Sequence, residues 1–185
     1  MDIKELQKNW DEFGKTDPLW SIITSPDKKG NKWDVDEFFA TGEREIDAVM
    51  EYIKFLGIAV SHRKALDFGC GIGRLTQALA RYFDEVYGVD IAPSMVELAK
   101  KYNRYGDKCR YYLNETDDLK LFSDNSVHLI YTNITLQHME PRYSKNYIKE
   151  FLRILAPQGV LIFQLISKPI LINETGTINL GLAKK

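Results

Sequence analysis

Three glycines at alternate positions, Gly69, Gly71 and Gly73, are flanked by two acids, Asp67 and Asp90. Glycine at such a turn adopts positive φ, and without a Cβ it lets a ligand lie against the backbone. The spacing decides which ligand. A dinucleotide fingerprint reads G-x-G-x-x-G and presents a helix N-terminus to a diphosphate. Here the pattern is G-x-G-x-G, with Asp67 two residues before the first glycine. A carboxylate beside the turn is a poor neighbour for a pyrophosphate. It suits a ligand with an ammonium group, held directly or through backbone amides and water. The two cysteines, Cys70 and Cys109, lack C-x-x-C spacing, which argues against a zinc site and for a reduced compartment.

The elements around these residues follow from apolar periodicity. Ala65, Leu66 and Phe68 form a short buried run, and Leu75, Leu79 and Tyr82 or Phe83 then recur at helical spacing. That is a strand, a glycine turn and a helix, the opening of a βαβ unit. Further strands are predicted at 86–90, 110–113, 127–131 and 160–166. Helices are expected from Pro93, with Met95 on the inner face, and from Pro141, whose stripe is Tyr147, Ile148, Phe151, Leu152 and Leu155. Upstream, a helix over residues 2 to about 13 should stop at Asp17-Pro18, and another should run from Thr41 to Leu56. The stretch from Trp20 to Trp33 reads as irregular. The tryptophans Trp10, Trp20 and Trp33 all precede the glycine turn, and each is expected to brace the fold by area buried, the alternative being closure over the cofactor pocket.

The segment Asp67-Phe68-Gly69-Cys70-Gly71-Ile72-Gly73 resembles the first motif, D/E-x-G-x-G-x-G, of the class I S-adenosylmethionine-dependent methyltransferases. Asp90-Ile91-Ala92-Pro93-Ser94-Met95 is similar to their D-x-S-x-x-M turn, and Arg153 to Gly159 to their R-x-L-K-P-G-G turn. The resemblance covers residues 62 to 167. It implies a three-layer, Rossmann-like α/β fold with a doubly wound sheet of order 3-2-1-4-5, an N-terminal helical cap and a shortened C-terminal edge. It also implies S-adenosylmethionine as methyl donor and S-adenosylhomocysteine as product.

By that resemblance Asp67, Gly69, Cys70, Gly71 and Arg74 line the cofactor's methionine end, and Asp90 accepts the ribose hydroxyls. Ile91 and Met95 lie near the adenine, Glu115 and the Thr116 amide take its edge, and Asn133 and Ile134 contact the methionine part. His138, on the loop after the fourth strand, is the candidate general base, and no metal is expected. Val127-His128 stands where the family has Phe-Asp, so His128 is read as structural.

Organisation and setting complete the expectations. Residues 1–60 form a cap, 61–167 the cofactor-binding core and 168–185 a short tail or hairpin, all within one domain. With 25 basic against 26 acidic residues and no dense basic run, there is no electrostatic footprint for nucleic acid or an anionic membrane. The Asn133-Ile134-Thr135-Leu136 loop lacks the prolines of DNA amino-methyltransferases. The expected partner is therefore a small-molecule methyl acceptor, with no nucleic acid and no membrane, on a cytoplasmic monomer or homodimer. The alternative is a protein that binds the cofactor without transferring its methyl group, as a sensor or partner subunit. A nicotinamide-dependent oxidoreductase is disfavoured by the glycine spacing.

Overall fold

In a computed structural model, which describes residues 2–165, 171–172 and 178–179, five parallel strands form a sheet of order β3-β2-β1-β4-β5. The strands are β1 (Lys64–Phe68), β2 (Glu85–Asp90), β3 (Cys109–Leu113), β4 (Val127–Thr132) and β5 (Leu155–Phe163). The apolar runs of β1, β2 and β4 are buried on both faces, as parallel strands under crossover helices must be, while the edge strands β3 and β5 are exposed in part. One face packs Ala65, Val86 and Leu129 against Leu75 and Leu79 of α4 (Arg74–Leu79) and Ile46 and Ile53 of α3 (Val35–Phe55). The other packs Leu66, Val89 and Ile130 against Tyr147, Phe151 and Ile154 of α6 (Pro141–Ile154). This is the Rossmann-like α/β arrangement that the resemblance implied.

Sequence punctuation fixes most element ends. Helix α1 (Ile3–Thr16) is capped by Asp2, whose side chain accepts from the Glu5 amide. It stops where Asp17 leaves helical geometry, and Pro18 then opens the short α2 (Pro18–Ile22), inside the stretch read as irregular. Pro at the first helical position forfeits only an N–H that had no helical partner. Helix α3 begins at Val35 and not near Thr41, because Asp34 caps it and accepts from the Glu37 amide at 2.9 Å. Trp20 and Trp33 are braces, donating their indole N–H to Ser25 O and Ile23 O. Strand β5 starts at Leu155, five residues earlier than expected, with a bulge opposite β4 between Val127 and Leu129. The expected end of that strand, Ile166, lies outside the described residues. Beyond it, β6 (Leu171–Ile172) and β7 (Ile178–Asn179) pair antiparallel, and the rest of the predicted tail is also outside them.

Helix α1 lies across α5 (Pro93–Tyr102) at the C-terminal ends of β2 and β3. Asp11 accepts from the Ser94 amide at 2.8 Å, and Ser94 Oγ donates to Asp11 O at 2.9 Å. The close approach needs Gly14, because a Cβ there would stand 2.2 Å from Ser94 Oγ. Gln7 Nε2 reaches across to Ile91 O and to Glu115 Oε1.

Candidate functional site

A cavity of about 680 Å³ opens over the C-terminal ends of β1, β2 and β4. This is the crevice at the topological switch point, where the sheet order reverses and open α/β sheets bind ligands. Gly69, Cys70, Gly71, Arg74, Asp90, Ile91, Asn133, Ile134 and His138 all line it. Asp67, Met95, Glu115 and Thr116 do not lie on its wall.

The glycine turn is built from within. Gly69, Gly71 and Gly73 have φ of 77°, 51° and 84°, left-handed values that cost an L side chain ~1–2 kcal/mol each. The space their Cβ atoms would occupy is filled by Thr135, Ile22 and Tyr111 respectively, all protein atoms. The amides are committed as well. Gly69 N and Cys70 N both donate to Val89 O, Gly71 N to Asp90 Oδ2, and Gly73 N to Cys70 O. These four N–H groups cannot also cradle a diphosphate.

The two acids differ sharply. Asp67 is 1% exposed beneath the turn and accepts the Thr76 hydroxyl at 2.6 Å. Burial pushes its carboxyl up to about 7, only partly offset by Thr76 and Arg74. Asp90 faces the cavity. Burial also raises its pKa, while the Ala92 and Gly71 amides, donating at 2.9 and 2.8 Å, favour the ionised form. A carboxylate has about four acceptor positions, so capacity remains for a ligand's hydroxyl groups beyond these amides.

At the other end, Glu45 joins three elements. Its Oε2 accepts from Arg74 at 2.9 Å, and its Oε1 accepts from Tyr131 OH at 2.8 Å and Asn133 Nδ2 at 2.9 Å. Arg74 also donates to Thr41, and its Nε is buried with no protein partner. Asn133 leads into Ile134, a β-branched residue at φ 56°. That conformation is strained by ~1–3 kcal/mol, and the Ile134 amide is held by Gln164 Oε1 at 3.2 Å. His138 stands edge-to-face with Trp10, ring centroids 5.3 Å apart. Loss of solvation lowers its pKa, so the imidazole is neutral near pH 7.

Residues 66–163 match the family model described as "Methyltransferase domain". The chain belongs to the methyltransferase-domain family. The resemblance to class I S-adenosylmethionine-dependent methyltransferases therefore holds at the level of the family. This methyltransferase domain is 29% identical over 124 residues to the malonyl-[acyl-carrier protein] O-methyltransferase of Halorhodospira halophila, covering 65% of the chain and 40% of that relative. It is 26% identical over 172 residues to the chloroplastic tocopherol O-methyltransferase of Arabidopsis thaliana, covering 85% of the chain and 49% of the relative. In fold it matches Haemonchus contortus phosphoethanolamine N-methyltransferase 1, solved with phosphoethanolamine and S-adenosylhomocysteine. There the TM-score is 0.67 and the identity 18%, over 99% of this chain and 36% of that one. The chain spans less than half the length of each of these three proteins.

Several cavity residues were not singled out by the sequence reading, Glu45 and Asn114 among them. Glu45 sits mid-helix among other charges, where a solvated face is the default. Trp10 forms cavity wall, in line with the alternative weighed for the N-terminal tryptophans and not with a brace alone. Asn114, and not Glu115 or Thr116, is what the loop after β3 brings to the cavity. Glu115 is taken by Gln7, and the Thr116 hydroxyl faces Asn114 and Asp118. Thr135 fills the space above Gly69. Asn114, which directly follows the last residue of β3, had a positional signal; Glu45 had none. Met95, 1% exposed, packs with Leu19, Phe38 and Ile72 behind the site. His128 Nδ1 is buried without a hydrogen-bond partner. Among the described residues no cluster of His, Cys, Asp or Glu could hold a metal. None of their helices is long and apolar enough to cross a membrane.

Proposed function

We propose that this domain binds S-adenosylmethionine in the cavity and directs methyl transfer to a small-molecule acceptor, in a cytoplasmic setting. The observation that carries the reading is the inward commitment of the turn amides while Asp90 keeps free acceptor capacity. A site so built disfavours a diphosphate and favours hydroxyls with a cationic group.

The residues present fit that ligand. Asp90 would accept the ribose hydroxyls, with Ile91 and Asn114 beside the adenine and Glu115 and Thr116 acting behind them through Gln7 and Asn114. The unpartnered Nε of Arg74 suits the methionine carboxylate, and the Asn133-Ile134 backbone would flank the methionine chain. Asp67 supports the turn from below through Thr76. The donor supplies a methyl carbon already activated by its sulfonium. The chain's part is to exclude water and align the acceptor, which can be worth up to ~7–11 kcal/mol in ideal cases. Within residues 1–60 the capping part is α1 and α2, which bring Leu6, Trp10 and Ile22 to the cavity wall, while α3 covers the sheet. His138, neutral near pH 7, takes the acceptor's proton.

The cavity continues past the turn to Met139 and Tyr143, leaving room for a second molecule, which favours transfer over binding alone. Calorimetric titration with S-adenosylhomocysteine and with NADH tests the reading. The former should bind at least a hundredfold more tightly. Tighter NADH binding overturns it.

A further inference from the structure

We infer that the methyl acceptor is an uncharged, ring-sized molecule presenting a hydroxyl group, an inference that rests on the donor reading above. With Ser21, Thr24 and Gln137 as uncharged polar neighbours, the lining beyond the residues assigned to the donor includes Leu6 and Trp10 of α1, Ile23 after α2, and Met139 and Tyr143 around the start of α6. These are apolar or aromatic surfaces, which favour a flat hydrophobic body. The edge-to-face contact between Trp10 and His138 fixes the imidazole plane at the border of that wall.

The charges decide the rest. Among the described residues lining the cavity, the formal charges are Glu45, Arg74 and Asp90. Both oxygens of Glu45 are engaged, by Arg74, Tyr131 and Asn133, so an ammonium acceptor would have to displace existing donors. Arg74 is held by Glu45, which neutralises its charge, and by Thr41, and its remaining N–H groups are assigned to the donor's carboxylate. A phosphate or carboxylate acceptor would therefore meet no available cation. Asp90 is held by Gly71 and Ala92 at the nucleotide end. Leaving a buried charge without its counterpart is strongly unfavourable, so a neutral acceptor is what this wall admits.

A hydroxyl also matches His138. As the acceptor oxygen bonds to the methyl carbon, the carbon–sulfur bond breaks with its electron pair on sulfur, and the hydroxyl proton passes to a ring nitrogen of His138. The products are a methyl ether, the neutral thioether and an imidazolium that returns its proton to solvent.

The test uses three matched probes, 4-ethylphenol, 4-ethylbenzoate and 4-ethylbenzylamine, titrated into the full chain saturated with S-adenosylhomocysteine. The phenol should bind at least tenfold more tightly than either charged analogue. Met139→Lys should raise benzoate affinity at least tenfold, because it places a cation on the apolar wall. Equal or tighter binding of a charged probe overturns the inference, as does absence of phenol binding to the saturated complex. An unchanged benzoate affinity in Met139→Lys would locate the phenol elsewhere and overturn it too. Failure of S-adenosylhomocysteine itself to bind would overturn the donor reading and this inference with it.

Discussion

Replacing Asp90 by Asn separates the two tasks that this side chain performs. The carboxylate accepts from the Gly71 and Ala92 amides at 2.8 and 2.9 Å, and in the proposed complex also from two ribose hydroxyls. The carboxamide keeps one acceptor oxygen and turns its NH₂ toward a backbone donor. One partly buried amide is left unpaired, at a cost of about 1–3 kcal/mol. Removing a carboxylate whose ionisation is disfavoured by burial offsets part of that. The net loss should be about 1 kcal/mol, a fall in Tm of roughly 2–4 °C for a domain of this size. Binding suffers more. A hydrogen bond to a charged group is worth about 1.5–3 kcal/mol, and at least one such bond and its charge are lost. Kd for S-adenosylhomocysteine should then rise about 100-fold, equivalent to about 2.7 kcal/mol. Calorimetry on a variant first shown to melt cooperatively reads both numbers. A folded Asp90→Asn protein with Kd within threefold of the parent would refute the ribose role. Asp90→Ala is the poorer tool, because it strips the partner from both amides and confounds affinity with stability.

Three other outcomes are expected. Asp67 has a folded pKa raised to about 7 from an ordinary 3.8, so its contribution to stability is full below about 4 and is lost as pH rises through 7. Asp67→Asn should flatten the fall in stability over that window in urea unfolding, and an unchanged pH profile would contradict it. Gly14→Ala would stabilise an isolated helix by ~1 kcal/mol, but here the methyl meets Ser94. It should loosen α1 from α5, shift Trp10 emission to the red and weaken S-adenosylhomocysteine binding severalfold; tighter binding would show that α1 does not seal the cavity. His138→Gln should lower kcat by about 10²–10⁴-fold if the imidazole takes the proton. Because its pKa is lowered, the parent's activity should persist below the ordinary histidine range before falling, and an acid limb at or above pH 6.5 would exclude His138 as the base.

Much of the frame was legible because the central strands open on short apolar runs closed by glycine or acid, as at Ala65–Gly69 and Val86–Asp90. The crevice acids, the turn and the loop at Asn133 could be placed because they end strands. What could not be read depends on distance in the chain. Glu45 and Asn133 are 88 positions apart, and Gln7 and Glu115 are 108 apart. No local period encodes such pairings. The early start of α3 was legible in principle, since Asp34-Val35-Asp36-Glu37 is a capping pattern. The role expected of the glycines shifted as well: protein atoms, and not a ligand, occupy the space where their side chains would be.

The way the loop after β1 is wired has a consequence for divergence. Its N–H groups are tied to Val89 O, to the Asp90 carboxylate and to Cys70 O within the loop itself, so on the proposed reading the bias against a diphosphate resides largely in main-chain geometry. Exchanging side chains could not recruit a redox dinucleotide; only a loop of different length could. Mutational drift and laboratory evolution alike should therefore retune the opposite wall, where Leu6, Trp10 and Met139 can change size without disturbing a single strand.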